Sequence, residues 1–285
     1  MNSQQRRAER ARRNRPPRRR VPWVAGLAVL VVVGALIGAI VARSSSGSKT
    51  SGDAAGSLLA SVTGVPASVS TAVGAGSATG PKPIDAPALT KDGKPLIVYL
   101  GAEYCPYCAA ERWAMIVALS RFGTFSGLQT THSSSTDVYP STPTFSFHGA
   151  SFDSQYVAFE GVELAGNELS GGNYPKLDTP TAEQQQLLDT YDAPPYVAAN
   201  AAGAIPFIDI GGKYIVSGAT YDPGVLAGKT HEQIAAALSD PTSAVAKGVI
   251  GAANQNTAAI CSVTGNQPAA TCSNPTIAAI QATLG

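Results

Sequence analysis

Cysteine, histidine and charged residues are scarce in this sequence of 285 residues. It contains four cysteines and three histidines, and only 14% of its residues are charged. The histidines show no ligand spacing to either cysteine pair, and the second cysteine pair has the wrong spacing for a zinc knuckle. We therefore expect no metal centre and no other cofactor.

The charges are distributed unevenly along the chain. Residues 1–20 contain nine arginines and one glutamate, whereas residues 21–285 contain 11 basic and 18 acidic residues. The arginines directly precede an apolar run and lack interleaved aromatic residues, which argues against nucleic-acid binding. We expect no nucleic-acid partner and interpret residues 1–20 as an Arg-rich cytoplasmic tail.

An uncharged apolar run follows the arginines. Trp23 to Ala42 contains no charged residue, and at about 1.5 Å per residue it is long enough to cross a hydrocarbon core of roughly 30 Å. It predicts a transmembrane helix over residues 21–42, in contact with the lipid bilayer. A cleaved signal peptide is the alternative, but its apolar region usually has about 7 to 15 residues.

The positive-inside rule gives this predicted anchor an orientation. We expect a single-pass protein of the cell membrane, with a cytoplasmic N-terminus and an extracytoplasmic C-terminal domain. The Ser/Gly-rich residues 43–55 predict a flexible tether. Residues 56–285 are sufficient for one α/β domain and show no internal repeat.

The most informative stretch joins an apolar run to a Cys-x-x-Cys motif. Leu96–Leu100 predicts a short buried strand, and the helix formers of Ala109–Leu119 predict a helix. Cys105 and Cys108 would then lie at the helix start, where free backbone N–H groups and the helix dipole favour a thiolate. We predict that Cys105 attacks and Cys108 resolves. Pro106 suits the first helical turn, where its missing N–H needs no partner.

Two ordered motifs resemble thioredoxin. Residues 101–108, Gly-Ala-Glu-Tyr-Cys-Pro-Tyr-Cys, resemble its active-site segment with the Pro-Tyr dipeptide of glutaredoxins, and residues 203–219 resemble its cis-proline loop and last strands. Residues 96–125 also resemble an uncharacterised family of membrane-anchored, thioredoxin-like proteins. The resemblance implies an α/β thioredoxin-like fold, a central mixed sheet flanked by helices, with a large insertion at about 127–200.

The resemblance also implies a site and a function. Pro206, expected after a cis peptide bond, would shape a groove beside the sulfurs, and Ile205 would offer its backbone to an extended substrate. Tyr104, Pro106 and Tyr107 would form an apolar rim. The protein would be a membrane-anchored, extracytoplasmic thiol-disulfide oxidoreductase that acts on protein thiols or disulfides, and a membrane redox partner would recycle it.

Other interpretations remain open. Tyr99 occupies the position of a buried aspartate that moves protons in thioredoxin, so that proton route is absent. This departure leaves a tethered, non-enzymatic binding module as an alternative function. An inert disulfide and a peroxide-reducing protein are two further alternatives. The charged residues Glu111, Arg112 and Arg121 are interpreted as a solvated helix face without a role.

The remaining cysteines, Cys261 and Cys272, lie in a Gly/Pro/Asn-containing terminal segment, which predicts a structural disulfide that closes a surface loop. Other local patterns predict further elements. These are short helices within 58–73, a turn at 91–94, strands at 127–131, 144–147 and 156–159, a loop over 161–175, a helix capped at Thr179, a helix capped at Thr230 and a helix after Pro241.

Overall fold

The computed structural model describes residues 56–285. The predictions for residues 1–20, 21–42 and 43–55 lie outside this range. Its helices are α1 (Gly56–Thr63), α2 (Ala67–Val73), α3 (Pro106–Leu119), α4 (Ala182–Tyr191), α5 (His231–Ala237), α6 (Ala244–Val263), α7 (Ala269–Cys272) and α8 (Pro275–Gln281), with a 3-10 helix at Pro223–Leu226.

The strands of the described residues are β1 (Lys82–Pro83), β2 (Thr90–Lys91), β3 (Lys94–Gly101), β4 (Thr124–Ser126), β5 (Gln129–His132), β6 (Pro143–Ser146), β7 (Ser151–Asp153), β8 (Ala158–Glu163), β9 (Phe207–Ile210) and β10 (Tyr214–Ser217). No single helix within residues 56–285 has the length and apolar character of a membrane span. By length and apolar composition alone, α1 and α2 together would be sufficient for a span, as a pair bent by 55°.

A mixed sheet organises the fold, and β3 lies at its centre. β3 pairs in parallel with β8 and antiparallel with β9, and β10 and β1 continue the sheet beyond β9. β2 forms a hairpin with the first residues of β3. Helices flank this sheet, so the mixed α/β architecture expected from the sequence is confirmed.

The alternation of side chains along β3 builds two hydrophobic clusters. Ile97 and Tyr99 belong to a large cluster that includes residues of α3 and α6, whereas Val98 and Leu100 belong to a smaller one with Leu188 of α4. Successive side chains of a strand point to opposite faces of the sheet. The predicted strand Leu96–Leu100 is therefore buried on both faces, as its apolar run indicated.

Several local predictions are confirmed. Asp92 and Gly93 have positive φ angles of 51° and 72° in the β2–β3 turn, the conformation that Asp-Gly favours in two-residue hairpins. Thr230 caps α5 in a capping box with Gln233. The predicted helices near residue 58 dock onto the domain, and their Leu58, Val62 and Val69 are buried.

Other local predictions need corrected boundaries. The strand predicted at 127–131 is present as β5, Gln129–His132, which pairs with β6 in a separate two-stranded sheet. The loop predicted from 161 begins later, since β8 continues to Glu163. The helix predicted to be capped at Thr179 is capped by Thr181, which forms a capping box with Gln184. The Thr181 and Gln184 side chains each accept a hydrogen bond from the other residue's backbone N–H, so two N–H groups at the helix start are satisfied reciprocally.

The predicted Cys261–Cys272 disulfide is formed. It closes the predicted surface loop, because residues 262–271 are all partly or fully exposed, although the two cysteines themselves are buried, with 0% and 3% of their surface exposed. Cys261 belongs to the last turns of α6 and Cys272 ends α7. The disulfide therefore ties helices that pack into the core.

Replacing both of these cysteines by alanine should lower the free energy of unfolding by about 3 kcal/mol, the chain-entropy value for a ring of roughly this size. Urea unfolding of the full chain measures the loss. Cys105→Ser should unfold at nearly the parental urea concentration, because Cys105 is a free thiol. A double variant as stable as the parent would contradict a structural role for this disulfide.

A second prediction concerns Asp209 on β9, which is fully buried. One carboxylate oxygen accepts a hydrogen bond from the Gly212 backbone N–H at 2.7 Å, and the other has no partner. Burial raises the pKa of Asp209 from 3.8 to about 6. Between about pH 4 and pH 6, Asp209 is ionised in the unfolded chain but still protonated in the folded protein. The contribution of Asp209 to stability is therefore complete below about pH 4 and is lost as the pH rises through about 6.

The loss should approach about 3 kcal/mol, at 1.36 kcal/mol for each pKa unit. Asp209→Asn should flatten the dependence of unfolding free energy on pH over this interval. Asp189→Asn, on the exposed side of α4, should keep the parental profile. An unchanged profile in Asp209→Asn would show that Asp209 does not titrate as inferred.

Candidate active site

The Cys-x-x-Cys motif lies at the start of α3, as predicted. Cys105 is the N-cap residue, with an extended backbone, and Pro106 opens the helix. The Cys108 backbone N–H donates to the Cys105 sulfur, with 3.3 Å between the atoms. Cys105 therefore takes the place of the usual oxygen-bearing cap and satisfies one of the free N–H groups of the helix.

The two thiols differ in exposure and in acidity. Both are free, and Cys105 is 6% exposed whereas Cys108 is completely buried. A hydrogen bond from the Cys108 side chain is the main factor that lowers the pKa of Cys105, and backbone N–H groups and the Arg112 charge add to it. Burial raises the pKa of Cys108. This asymmetry suits an attacking and a resolving cysteine.

The segment before β9 lies beside the outer sulfur. The Cys105 sulfur is 3.7 Å from the Ile205 carbonyl oxygen, and the Ile205–Pro206 peptide bond is cis, as the sequence predicted. The Pro206 carbonyl accepts a hydrogen bond from the Gly218 N–H at 2.8 Å, which fixes this segment to the end of β10. Two motifs that are a hundred residues apart in sequence thus meet at one sulfur.

Aromatic side chains surround this position. Tyr104 is half-buried and stacks on Tyr174, with 4.4 Å between ring centroids. Tyr107 is 41% exposed and contacts Tyr139 edge to face at 6.4 Å. Pro106 is buried, so it does not contribute to an exposed rim. Tyr139 and Tyr174 were missed by the sequence analysis, because no local pattern links them to the motif.

Charged residues of α3 are buried, contrary to the prediction of a solvated face. Arg112 and Glu163 form an ion pair in which both side chains are fully buried. Glu111 is also completely buried and accepts hydrogen bonds from the Thr220 hydroxyl at 2.8 Å and from the Asn256 amide at 3.0 Å. Burial raises the pKa of Glu111.

Arg121, just beyond α3, is half-buried rather than solvated. It donates to the hydroxyls of Thr257 and Ser70, at 2.8 and 2.9 Å. Burial lowers its pKa to about 10. These contacts join the end of α3 to α6 and α2, which gives Arg121 a packing role.

Within residues 56–285 no group of three or more His, Cys, Asp or Glu side chains is arranged to hold a metal ion. A family model described as Domain of unknown function (DUF929) matches residues 83–262. No curated protein and no solved structure matches the chain. The matched range includes both the Cys-x-x-Cys turn and the Ile205–Pro206 segment.

The difference between the two thiols predicts selective alkylation. A limiting amount of iodoacetamide at neutral pH should modify Cys105 at least about tenfold faster than Cys108, because the thiolate reacts, and of the two sulfurs only Cys105 has some exposed surface and a lowered pKa. Mass spectrometry of peptides from the full chain measures both rates. In Cys105→Ser, alkylation should fall to the slow rate of Cys108. Equal rates in the parental protein would contradict the assigned asymmetry.

Proposed function

This chain belongs to the family described as Domain of unknown function (DUF929), and we propose that it is a thiol-disulfide oxidoreductase that works through a reversible Cys105–Cys108 disulfide. The observation that carries the proposal is the placement of the Cys105 sulfur. It caps a helix, has a lowered pKa and lies 3.7 Å from the Ile205 carbonyl. An inert structural cysteine would need none of these features.

We also infer that the fold is thioredoxin-like. The inference is supported by a central β3 that leads through the cysteine turn into α3, by its parallel partner β8, and by the antiparallel hairpin β9–β10 that follows Pro206. The predicted insertion at about 127–200 would not be one block outside this core, because it contains β8, the parallel partner of β3, as well as β5, β6 and β7 of the small separate sheets.

The chemistry proceeds by two exchanges of sulfur partners. The Cys105 thiolate attacks one sulfur of a substrate disulfide, a Cys105–substrate bond forms, and the other substrate sulfur leaves with the electron pair of the broken bond. Cys108 then loses its proton and attacks the Cys105 sulfur. The Cys105–Cys108 disulfide forms and the second substrate sulfur leaves reduced. The reverse sequence oxidises a substrate dithiol and reduces the pair.

The surroundings of the sulfur favour a polypeptide substrate. The large hydrophobic side chains exposed among residues 56–285 are Tyr107, Val138 and Leu169. Val138 adjoins Tyr139, which contacts Tyr107, and Leu169 belongs to the loop whose Tyr174 stacks on Tyr104. Apolar side chains of an extended segment would find contacts on both sides of Cys105, next to the Ile205 backbone.

The location outside the membrane is part of the same proposal. It rests on the apolar run at 21–42 and the arginines of residues 1–20. The Cys261–Cys272 disulfide supports it, because disulfides persist mainly in oxidising compartments.

Insulin reduction by the purified full chain, with a dithiol as electron donor, tests the proposal. The parental protein should accelerate the reaction, and Cys105→Ser should reduce the rate to background because the attacking sulfur is lost. Cys108→Ser should accumulate a Cys105–substrate mixed disulfide, detected on a non-reducing gel.

The variant with alanine at both Cys261 and Cys272 is the matched control, since it removes two cysteines that lie outside the motif. It should retain activity at temperatures where it stays folded. Parental activity equal to that of Cys105→Ser would refute the oxidoreductase and favour the tethered binding module.

A further inference from the structure

The Arg112 guanidinium lies in the interior beside the cysteine turn, with most of its donors engaged. Its Nη2 donates to the Ala102 carbonyl at 2.6 Å and to Glu163 Oε2 at 3.1 Å. Its Nε is 2.8 Å from Glu163 Oε1 and 3.1 Å from the Tyr99 hydroxyl oxygen. The Ala102 carbonyl also accepts the Cys105 N–H at 3.2 Å, so Arg112 is attached to the cysteine turn itself.

Its counterion is equally constrained. Glu163 Oε1 accepts a hydrogen bond from the Phe147 N–H at 3.3 Å, and the Glu163 backbone N–H donates to Asp178 at 3.0 Å. Asp178 in turn pairs with His148 at 2.7 Å. Glu163 is therefore held at both its carboxylate and its backbone, and the guanidinium cannot move away without breaking several contacts.

One donor differs from the rest. Arg112 Nη1 is buried and has no hydrogen-bond partner. A buried donor without an acceptor is costly, so native proteins rarely retain one without a reason. Arg112 follows Cys108 by four residues on α3, which places the two side chains on the same face of the helix. The acceptor absent from the reduced protein can therefore arise during the reaction, as a thiolate at Cys108.

We propose that Arg112 is a positioning residue that stabilises the Cys108 thiolate at the moment of resolution, and that Glu163 fixes the guanidinium while offsetting part of its charge. This inference rests on the proposed function. Arg112 does not accept the Cys108 proton, as a carboxylate at Tyr99 could; it stabilises the negative charge that remains on Cys108 when the proton leaves.

Resolution of the mixed disulfide moves one proton and two electron pairs. In the mixed disulfide, the Cys105 sulfur no longer carries the charge that attracts the Cys108 S–H. The Cys108 S–H bond breaks, its electron pair forms the bond to the Cys105 sulfur, and the bond from Cys105 to the substrate breaks. The substrate sulfur leaves with that electron pair, and the proton reaches it through solvent. Arg112 lowers the cost of the charge that Cys108 carries in between.

The charge environment of this step is defined by groups from each neighbouring element. They are Cys105, Glu103 and Tyr104 of the turn, Tyr99 of β3, Arg112 of α3 and Glu163 of β8. The Arg112 charge favours both thiolates, whereas the charge of Cys105 opposes ionisation of Cys108. Because Arg112 and Glu163 carry opposite charges, substitutions that remove one charge or the other should shift the ionisation of Cys108 in opposite directions.

Reaction of the reduced full chain with 5,5′-dithiobis(2-nitrobenzoate) separates the two exchanges. Attack by Cys105 releases one coloured thiolate, and resolution by Cys108 releases a second. The pH dependence of the second phase gives the midpoint for Cys108 ionisation. Arg112→Met should raise this midpoint by about one to three pH units, and Glu163→Gln should lower it. Arg112→Lys should restore part of the Arg112→Met shift.

The outcomes separate this inference from the proposed function. Parental protein without a second phase would refute the oxidoreductase. A normal parental second phase, with midpoints that stay unchanged or move in the same direction in Arg112→Met and Glu163→Gln, would overturn the role of Arg112. If Arg112→Met does not fold, Arg112→Lys and Glu163→Gln decide, because the inference requires a raised midpoint in the first and a lowered one in the second.

Discussion

The fully buried pair of Arg112 and Glu163 constrains the rest of the site. Two charges survive in an interior only when they are paired and further hydrogen-bonded, because removal from water costs several kcal/mol for each. Glu163 lies opposite Gly101 in the parallel register of β3 and β8. A slip of one residue would turn the carboxylate to the other face of the sheet and leave Arg112 unpaired. The ion pair therefore fixes strand register, helix position and the cysteine turn together.

Two loops, one after β5 and one after β8, contact the cysteine turn and carry aromatic residues next to it. The Ser134 N–H donates to the Tyr104 carbonyl at 2.8 Å, and the Tyr174 hydroxyl donates to the Ser134 hydroxyl at 2.6 Å. Tyr104 is thus held on both its backbone and its ring. The stacked Tyr104 and Tyr174 are therefore attached to the cysteine turn and to the loop after β5 by backbone and side-chain hydrogen bonds.

Sequence reasoning succeeded where the determinants are local. The Asp92-Gly93 turn, the Thr230 cap and the start of α3 at Cys105 all follow from residues within four positions of one another. It failed for Arg112, whose partner Glu163 is 51 residues away. A charged helix residue is normally solvated, so its burial becomes visible only when the distant counterion is placed. The thiol pair could be predicted, but the electrostatics that set its reactivity could not.

The nature of the buried charge also bears on the direction of exchange. A guanidinium beside the sulfurs favours the thiolate, and thiolates exist only in the reduced pair, so this charge stabilises the dithiol relative to the disulfide. A disulfide whose reduced form is stabilised is the stronger oxidant. Glu163 opposes this effect, because its carboxylate offsets part of the Arg112 charge. In the proposed oxidoreductase, Arg112 and Glu163 would therefore act with opposite sign on the redox potential, beside the helix-start N–H groups that also lower the pKa of Cys105.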